Sequence, residues 1–325
     1  MDTLYTARVH GFAAPGLVNL TGLEGHEGLL SLVAVLGSSI SLVALVFAFI
    51  TYSLFSDLRT ISGTALINLL AALFMVQLLF VIGVGGVQDR ELCWSLALAL
   101  HYMRLTVFCW LAAMTFDLYC CFRENVSLVA ALPSPPALRQ SFARLSLFAW
   151  GAPLLPTLAA GLLQLRPDAA DLSDPNCWFF DDVPAAATFS IPAAILLIVD
   201  LAFLVRAAAV ARAAVALQLE QRVKAKMVRR RRLQLWLFFR LAAFLAVVSA
   251  TGVAGRLMHS HILLAAFCVA AGLQGLVVAL SVACSCRVLK LYTRPRRPPP
   301  AARPGALHKA PSAMHLMQSC DASPV

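Results

Sequence analysis

The stretch GTALINLLAALFMVQLLFVIGV (residues 63–84) carries no charged side chain from end to end. Hydrocarbon about 30 Å thick is crossed by roughly 20 residues of helix at about 1.5 Å per residue. A run of this length and composition therefore reads as a membrane span. Six further runs resemble it: 29–54, 92–122, 145–165, 185–210, 235–257 and 262–286. Lipid offers no partner for free backbone groups, so helices are the expected form. A closed β-barrel would show short alternating segments, and these runs are continuous. The chain has 325 residues and is 60% hydrophobic but only 13% charged. A soluble domain carries about 25% charged residues. The expected fold is all-α, a seven-transmembrane helix bundle over residues 29–290. A short segment, 1–28, precedes it, and a Pro-rich tail, 291–325, follows that is too poor in apolar groups to pack.

The net charge of +10 could suggest nucleic acid, but its placement points to topology. Of the 26 Lys and Arg residues, all but Arg8, Arg90, Arg104, Arg166 and Arg256 fall on one side of the seven-run layout. Positive residues stay cytoplasmic, which predicts an N-terminus outside and a C-terminus inside. The connection between runs four and five is acidic, with Asp168, Asp171, Asp174, Asp181 and Asp182. The basic excess is also expected to attract anionic inner-leaflet lipid. Nucleic acid is not an expected partner. Residues 1–28 show no basic start followed by an apolar core, so run one is expected to act as its own insertion signal.

Several residues carry local chemistry. Asn19-Leu20-Thr21 is a glycosylation sequon on the expected outer side. Cys93 opens run three at its outer end, and Cys177 lies in the outer loop before run five. Both face an oxidising compartment, where a disulfide persists. A bond between them would pin the loop over run three; two unrelated thiols are the alternative. Cys284 and Cys286 end run seven beside Arg287 and Lys290, a juxtamembrane position that suits palmitoylation. Arg104 and Asp200 are ionisable groups inside apolar runs. Such groups are costly and usually need a partner, so an Arg104–Asp200 ion pair is expected, with snorkelling of Arg104 and a protonated Asp200 as the alternative. Residues 220–232, EQRVKAKMVRRRR, read as a basic extension of the fifth helix that then breaks into the sixth.

Trp150-Gly151-Ala152-Pro153, Cys177-Trp178, Leu273-Gln274-Gly275, the run-two stretch INLLAALFMVQLLFVIG, and LHY followed by FCW in run three resemble the secretin/adhesion superfamily of seven-transmembrane G-protein-coupled receptors. Met114-Thr115-Phe116-Asp117, Cys177-Trp178-Phe179, FSIPAAILLIVD and CRVLKL resemble its Methuselah-like branch. The resemblance covers roughly residues 30–292. Two departures stand out. Secretin-type receptors carry a His two residues before the Asn of helix 2, where this chain has Leu66. They carry a Glu low in helix 3, where this chain has Met114. That polar pair helps hold their inactive state. Methuselah-like proteins also have a folded ectodomain, which residues 1–28 are too few to form. A tethered-agonist mechanism has no basis in these residues either.

The resemblance implies a plasma-membrane, multi-pass receptor that couples an extracellular ligand to a heterotrimeric G protein, and not an enzyme. A pseudo-receptor that does not signal is an alternative, given Leu66 and Met114. A transporter is another, though it should show paired half-chains and no internal repeat is evident. The expected ligand pocket draws on Gln77, His101, Arg104, Phe108, Trp178, Phe179, Asp181, Asp182, Phe189 and Gln274. The acidic loop hints at a peptide or a cationic small molecule. Coupling to the G protein is expected through Arg222, Lys224, Lys226, Arg229, Arg230 and Arg240. No metal or cofactor is expected, because the runs lack clustered His and carboxylate ligands.

Overall fold

The computed structural model describes residues 23–54, 61–84, 90–124, 135–164, 183–216, 221–258 and 261–283. They form eight helices: α1 (Leu23–Leu54), α2 (Ile61–Val84), α3 (Arg90–Glu124), α4 (Pro135–Gly151), α5 (Leu154–Gln164), α6 (Val183–Ala216), α7 (Gln221–Leu257) and α8 (His261–Ala283). Helices α4 and α5 together make the fourth span, and seven spans are long and apolar enough to cross a membrane. Spans 5, 6 and 7 are α6, α7 and α8. The spans close a ring in chain order, with span 7 packed against span 1. Span 3 also packs against spans 5 and 6. Its most apolar stretch is 72% buried, against 22–44% for the other spans, so span 3 is the bundle's axis.

Span 1 shows why the outside is lipid. Leu36, Ile40, Val43, Phe47, Ile50 and Leu54 are exposed and recur every three or four residues, which is one helix face. Ala34, Ser38, Ser41, Leu45, Ala48 and Tyr52 are buried on the opposite face. Small and polar groups, with Leu45 and Tyr52, point inward, and large apolar groups line the outward face. Without a hydrophobic drive between helices, close backbone approach and interhelical hydrogen bonds hold such a seam.

The seam between spans 1 and 7 depends on two glycines. A Cβ on Gly272 would lie 3.2 Å from the Ala34 carbonyl oxygen. A Cβ on Gly275 would lie 2.8 Å from the Ser41 Cβ and 2.7 Å from a Leu45 methyl. The space that glycine leaves lets Ser41 enter the backbone ladder of span 7. Its hydroxyl donates to the Gly272 carbonyl at 2.6 Å and accepts from the Leu276 N–H at 3.1 Å. These two backbone groups are four residues apart, the spacing of a helical hydrogen bond. Just beside them, the Gln77 side-chain amide on span 2 donates to the Ala271 carbonyl at 2.6 Å.

Span 4 breaks where the sequence carries Gly151-Ala152-Pro153. Pro153 has no N–H and its ring crowds the preceding turn. Trp150 packs edge-on against Trp110 at 6.2 Å, and the Tyr102 hydroxyl donates to the Trp150 carbonyl at 2.7 Å. A polar group at the break is thus met from span 3.

One expectation needs correction. The basic run does not extend the fifth helix; residues 221–232 begin α7 and continue unbroken into span 6. Lys and Arg favour helix, and neither Gly nor Pro lies between Gln221 and Thr251, so nothing in the sequence stops that helix at the membrane boundary. The N-terminal segment 1–22 and the tail lie outside the described residues.

Gly275→Val should lower the thermal stability of the detergent-solubilised chain by about 1–3 kcal/mol, the usual cost of overpacking. A Cβ on Gly151 meets nothing within 4 Å, so Gly151→Ala should stay within about 0.5 kcal/mol. Thermal unfolding followed by ligand-free fluorescence or light scattering checks both.

Candidate functional site

A cleft in the bundle is lined by residues of five spans. Val76 comes from span 2; Arg104, Val107 and Phe108 from span 3; and Phe189 from span 5. Leu245, Val248 and Ser249 come from span 6, and Phe267 and Gln274 from span 7. Phe189 is the hinge of its aromatic wall, edge-on to His101 at 5.8 Å and to Phe108 at 6.3 Å. Phe267 stands on the other side, edge-on to Phe80 at 6.2 Å. The Arg104 guanidinium lies over the Phe267 ring, 5.3 Å from its centre, a distance at which the ring face attracts a cation. The space open to the centre of a water molecule is about 20 Å³, room for about one water. Drug-sized ligands occupy clefts of about 300–1,000 Å³, so these walls must part, or the ligand must sit higher, for one to bind.

Among the expected pocket residues, the cleft brings together Arg104, Phe108, Phe189 and Gln274. His101 backs Phe189 from behind. Gln77 is buried, and its side-chain N–H donates to span 7. Trp178, Phe179, Asp181 and Asp182 lie outside the described residues, as do Asn19, Cys177, Cys284 and Cys286. Cys93 is disulfide-bonded, while Cys109, Cys120, Cys121 and Cys268 are in no disulfide. The positions of Arg222, Lys224, Lys226, Arg229 and Arg230 fall in the first turns of α7. Arg240 is exposed, on the side of α7 away from buried Phe238 and Leu241.

The expected Arg104–Asp200 pair does not form. Asp200 is 2% exposed, and its Oδ1 lies 2.8 Å from the Thr115 hydroxyl. Thr115 is eleven residues beyond Arg104, which is about 16 Å along a helix. The aromatic contacts fix this register independently. Phe189 meets His101 and Phe108, and fourteen residues on, Phe203 meets Phe116 at 5.2 Å and Tyr119 at 6.0 Å. Spans 3 and 5 therefore run side by side with a constant offset, which sets Asp200 level with Thr115. The expectation failed because depth along span 5 had no marker like Cys93 on span 3.

The Thr115 hydroxyl is also 3.0 Å from the Ala112 carbonyl. A hydroxyl has one proton to give. Thr115 is the donor, and its proton is shared between Asp200 Oδ1 and the Ala112 carbonyl oxygen. This polar contact adjoins Met114, the position at which the wider family has Glu. Phe267, Ser249 and Ser41 were not singled out from sequence, and Thr115 was quoted only within a motif. Thr115 could have been found as the only hydroxyl beside the Met114 departure, and Ser41 as a polar residue one turn from Gly37.

A double-mutant cycle on folded yield separates the two pairings. Thr115→Val with Asp200→Leu should show coupling of about 0.6–1.7 kcal/mol, the range found for hydrogen bonds inside membranes. Arg104→Leu with Asp200→Leu should add within about 0.3–0.5 kcal/mol.

Residues 27–278 match the model of the seven-transmembrane receptors of the secretin family. The chain is 28% identical over 204 residues to cadherin EGF LAG seven-pass G-type receptor 1 of Mus musculus, covering 62% of this chain and 6% of the relative. It is 34% identical over 95 residues to adhesion G protein-coupled receptor E3 of Homo sapiens, covering 29% and 14%. It is 27% identical over 179 residues to adhesion G protein-coupled receptor L1 of Mus musculus, covering 55% and 11%. The chain thus matches only a small part of each relative's length. The family model spans most of this chain, and the chain belongs to the secretin family of seven-transmembrane receptors.

Proposed function

We propose that the chain is a plasma-membrane receptor that passes an extracellular signal to a heterotrimeric G protein. The observation that carries this reading is the cleft joining spans 2, 3, 5, 6 and 7. A ligand that parts it must shift these spans relative to one another. Span 3 continues from the cleft down to Thr115, where it meets span 5 at Asp200. A change at Arg104 or Phe108 can therefore reach the inner half through one rigid helix. Such coupling requires the ligand to favour one arrangement over the other.

In this reading the N-terminus is outside, Asn19 carries glycan, and Cys93 is bonded to Cys177. Trp178, Phe179, Asp181 and Asp182 belong to the same outer connection as Cys177 in the sequence. A ligand that passes them meets Arg104 on the cleft wall, which suits a hydrogen-bond acceptor or an acidic group. The acidic loop suits a basic one. A peptide carrying both fits this pair of environments. The inner surface for the G protein is the basic start of α7, at Arg222, Lys224, Lys226, Arg229 and Arg230. Placement near the Methuselah-like branch rests on the quoted motifs. A second reading, a receptor that does not signal, is favoured by buried Leu66 and Met114, which stand where the family's polar pair is expected.

Expression in cultured cells distinguishes the two. The native chain should raise the basal second-messenger level above that of mock-transfected cells. Changing Arg222, Lys224, Lys226, Arg229 and Arg230 to Gln should cut the increment about fivefold or more at equal surface expression, the lower end of typical coupling energies. No increment from the native chain, with any co-expressed G protein, supports the non-signalling reading.

A further inference from the structure

The outward face of span 6 changes character at one end of the span. Over most of its length it is apolar, as at exposed Val247. At the Arg232 end it carries exposed Arg232, Trp236 and Arg240. Successive members are four residues apart, so they form one inclined stripe with steps of about 6 Å. Phe238, Leu241, Leu245 and Val248 are buried on the opposite face, which turns the stripe away from the bundle's interior. The Trp236 ring stacks on exposed Phe239, with centroids 5.8 Å apart and planes 28° from parallel. Helix α7 contains no Asp or Glu from Gln221 to Leu257, so no acid on this helix neutralises the two guanidiniums.

Each element of the stripe has a physical place at a membrane boundary. Indole rings gather at the headgroup level. With Trp236 there, Arg232 stands in the headgroup layer. Arg240 starts one turn deeper and can reach back along its apolar stem. An arginine held against hydrocarbon is costly without an acceptor, and a phosphodiester supplies oxygens that match the guanidinium fork. Two forks one turn above and one turn below an aromatic ring thus outline one lipid: a phosphate between the arginines and an acyl chain along Phe239 and Val247.

We propose that Arg232 and Arg240, flanking Trp236, form a binding site for an anionic phospholipid on the outer face of span 6. The site reassigns Arg240 from the G-protein surface to the lipid. It does not depend on the chain's being a signalling receptor. Lipid bound there would load the span whose movement the proposed function requires, so inner-leaflet composition would tune that movement.

The test uses the full chain in vesicles of phosphatidylcholine mixed with phosphatidylserine. A photoactivatable phosphatidylserine should label the peptide containing residues 232–240 well above a phosphatidylcholine probe with the same acyl chains. R232Q/R240Q should reduce that preference roughly ten- to thirty-fold, the loss expected when two basic groups leave a charged surface. R139Q/R144Q, which removes equal charge from the start of span 4, should leave it within about twofold. Equal labelling of the native chain by the two probes overturns the proposal, whether or not the variants fold. An equal loss in R139Q/R144Q also overturns it, because the attraction would then belong to the basic surface as a whole.

Discussion

Two neighbouring carbonyls of span 7 organise the bundle. The Ala271 carbonyl takes the amide of Gln77 from span 2, and the Gly272 carbonyl takes the hydroxyl of Ser41 from span 1. Inside hydrocarbon a backbone group released from its own helix must find a partner in the protein. Here the helix is met by side chains from two others, and each such bond fixes both depth and rotation. Gly272 and Gly275 are the steric condition for it, since a side chain at either would push span 1 away. Spans 1, 2 and 7 are thereby joined by directional bonds. Span 5 meets the axis through aromatic edges, through buried Ala193, Leu204 and Ala207, and at the Thr115–Asp200 contact. The bundle's cohesion is therefore uneven, with one side pinned and the other packed.

That unevenness gives the structure its functional sense. The cleft lies between the two sides, with Phe267 and Gln274 from the pinned span 7 facing Phe189 and Leu245 from spans 5 and 6. Its small volume means that the described arrangement is closed. Opening it separates surfaces that meet mainly through apolar groups, which slide more readily than hydrogen-bonded ones. The family's inner polar pair is replaced by buried Leu66 and Met114, but the neighbouring Thr115 and Asp200 supply a different polar contact at the same level of span 3.

Much of this was legible in the sequence because lipid writes its demands plainly. Seven long apolar runs gave the spans, Gly151-Ala152-Pro153 marked the break in span 4, and the order of motifs pointed to the family. The register between spans was not legible. Arg104 and Asp200 were matched as two costly charges, yet three turns separate their levels, because side-chain depth depends on where each helix enters the membrane. The origin of the basic helix was hidden too, since residues 216–221 contain no breaker to show where one helix ends. Phe267 was passed over because an aromatic residue in an apolar span looks the same whether it faces lipid or a cleft. Only the packing distinguishes Phe267, which is buried, from Phe239, which is exposed.

The central claim, that this bundle drives a G protein, is tested most directly with purified components. The chain is reconstituted into vesicles with heterotrimeric G proteins of each class in turn, and release of bound guanine nucleotide is timed. Vesicles containing the chain should accelerate release from at least one class over empty vesicles, and a G275V chain, whose pinned side is displaced, should lose that acceleration. Release at the empty-vesicle rate for every class, from a chain shown to be folded, would contradict the account.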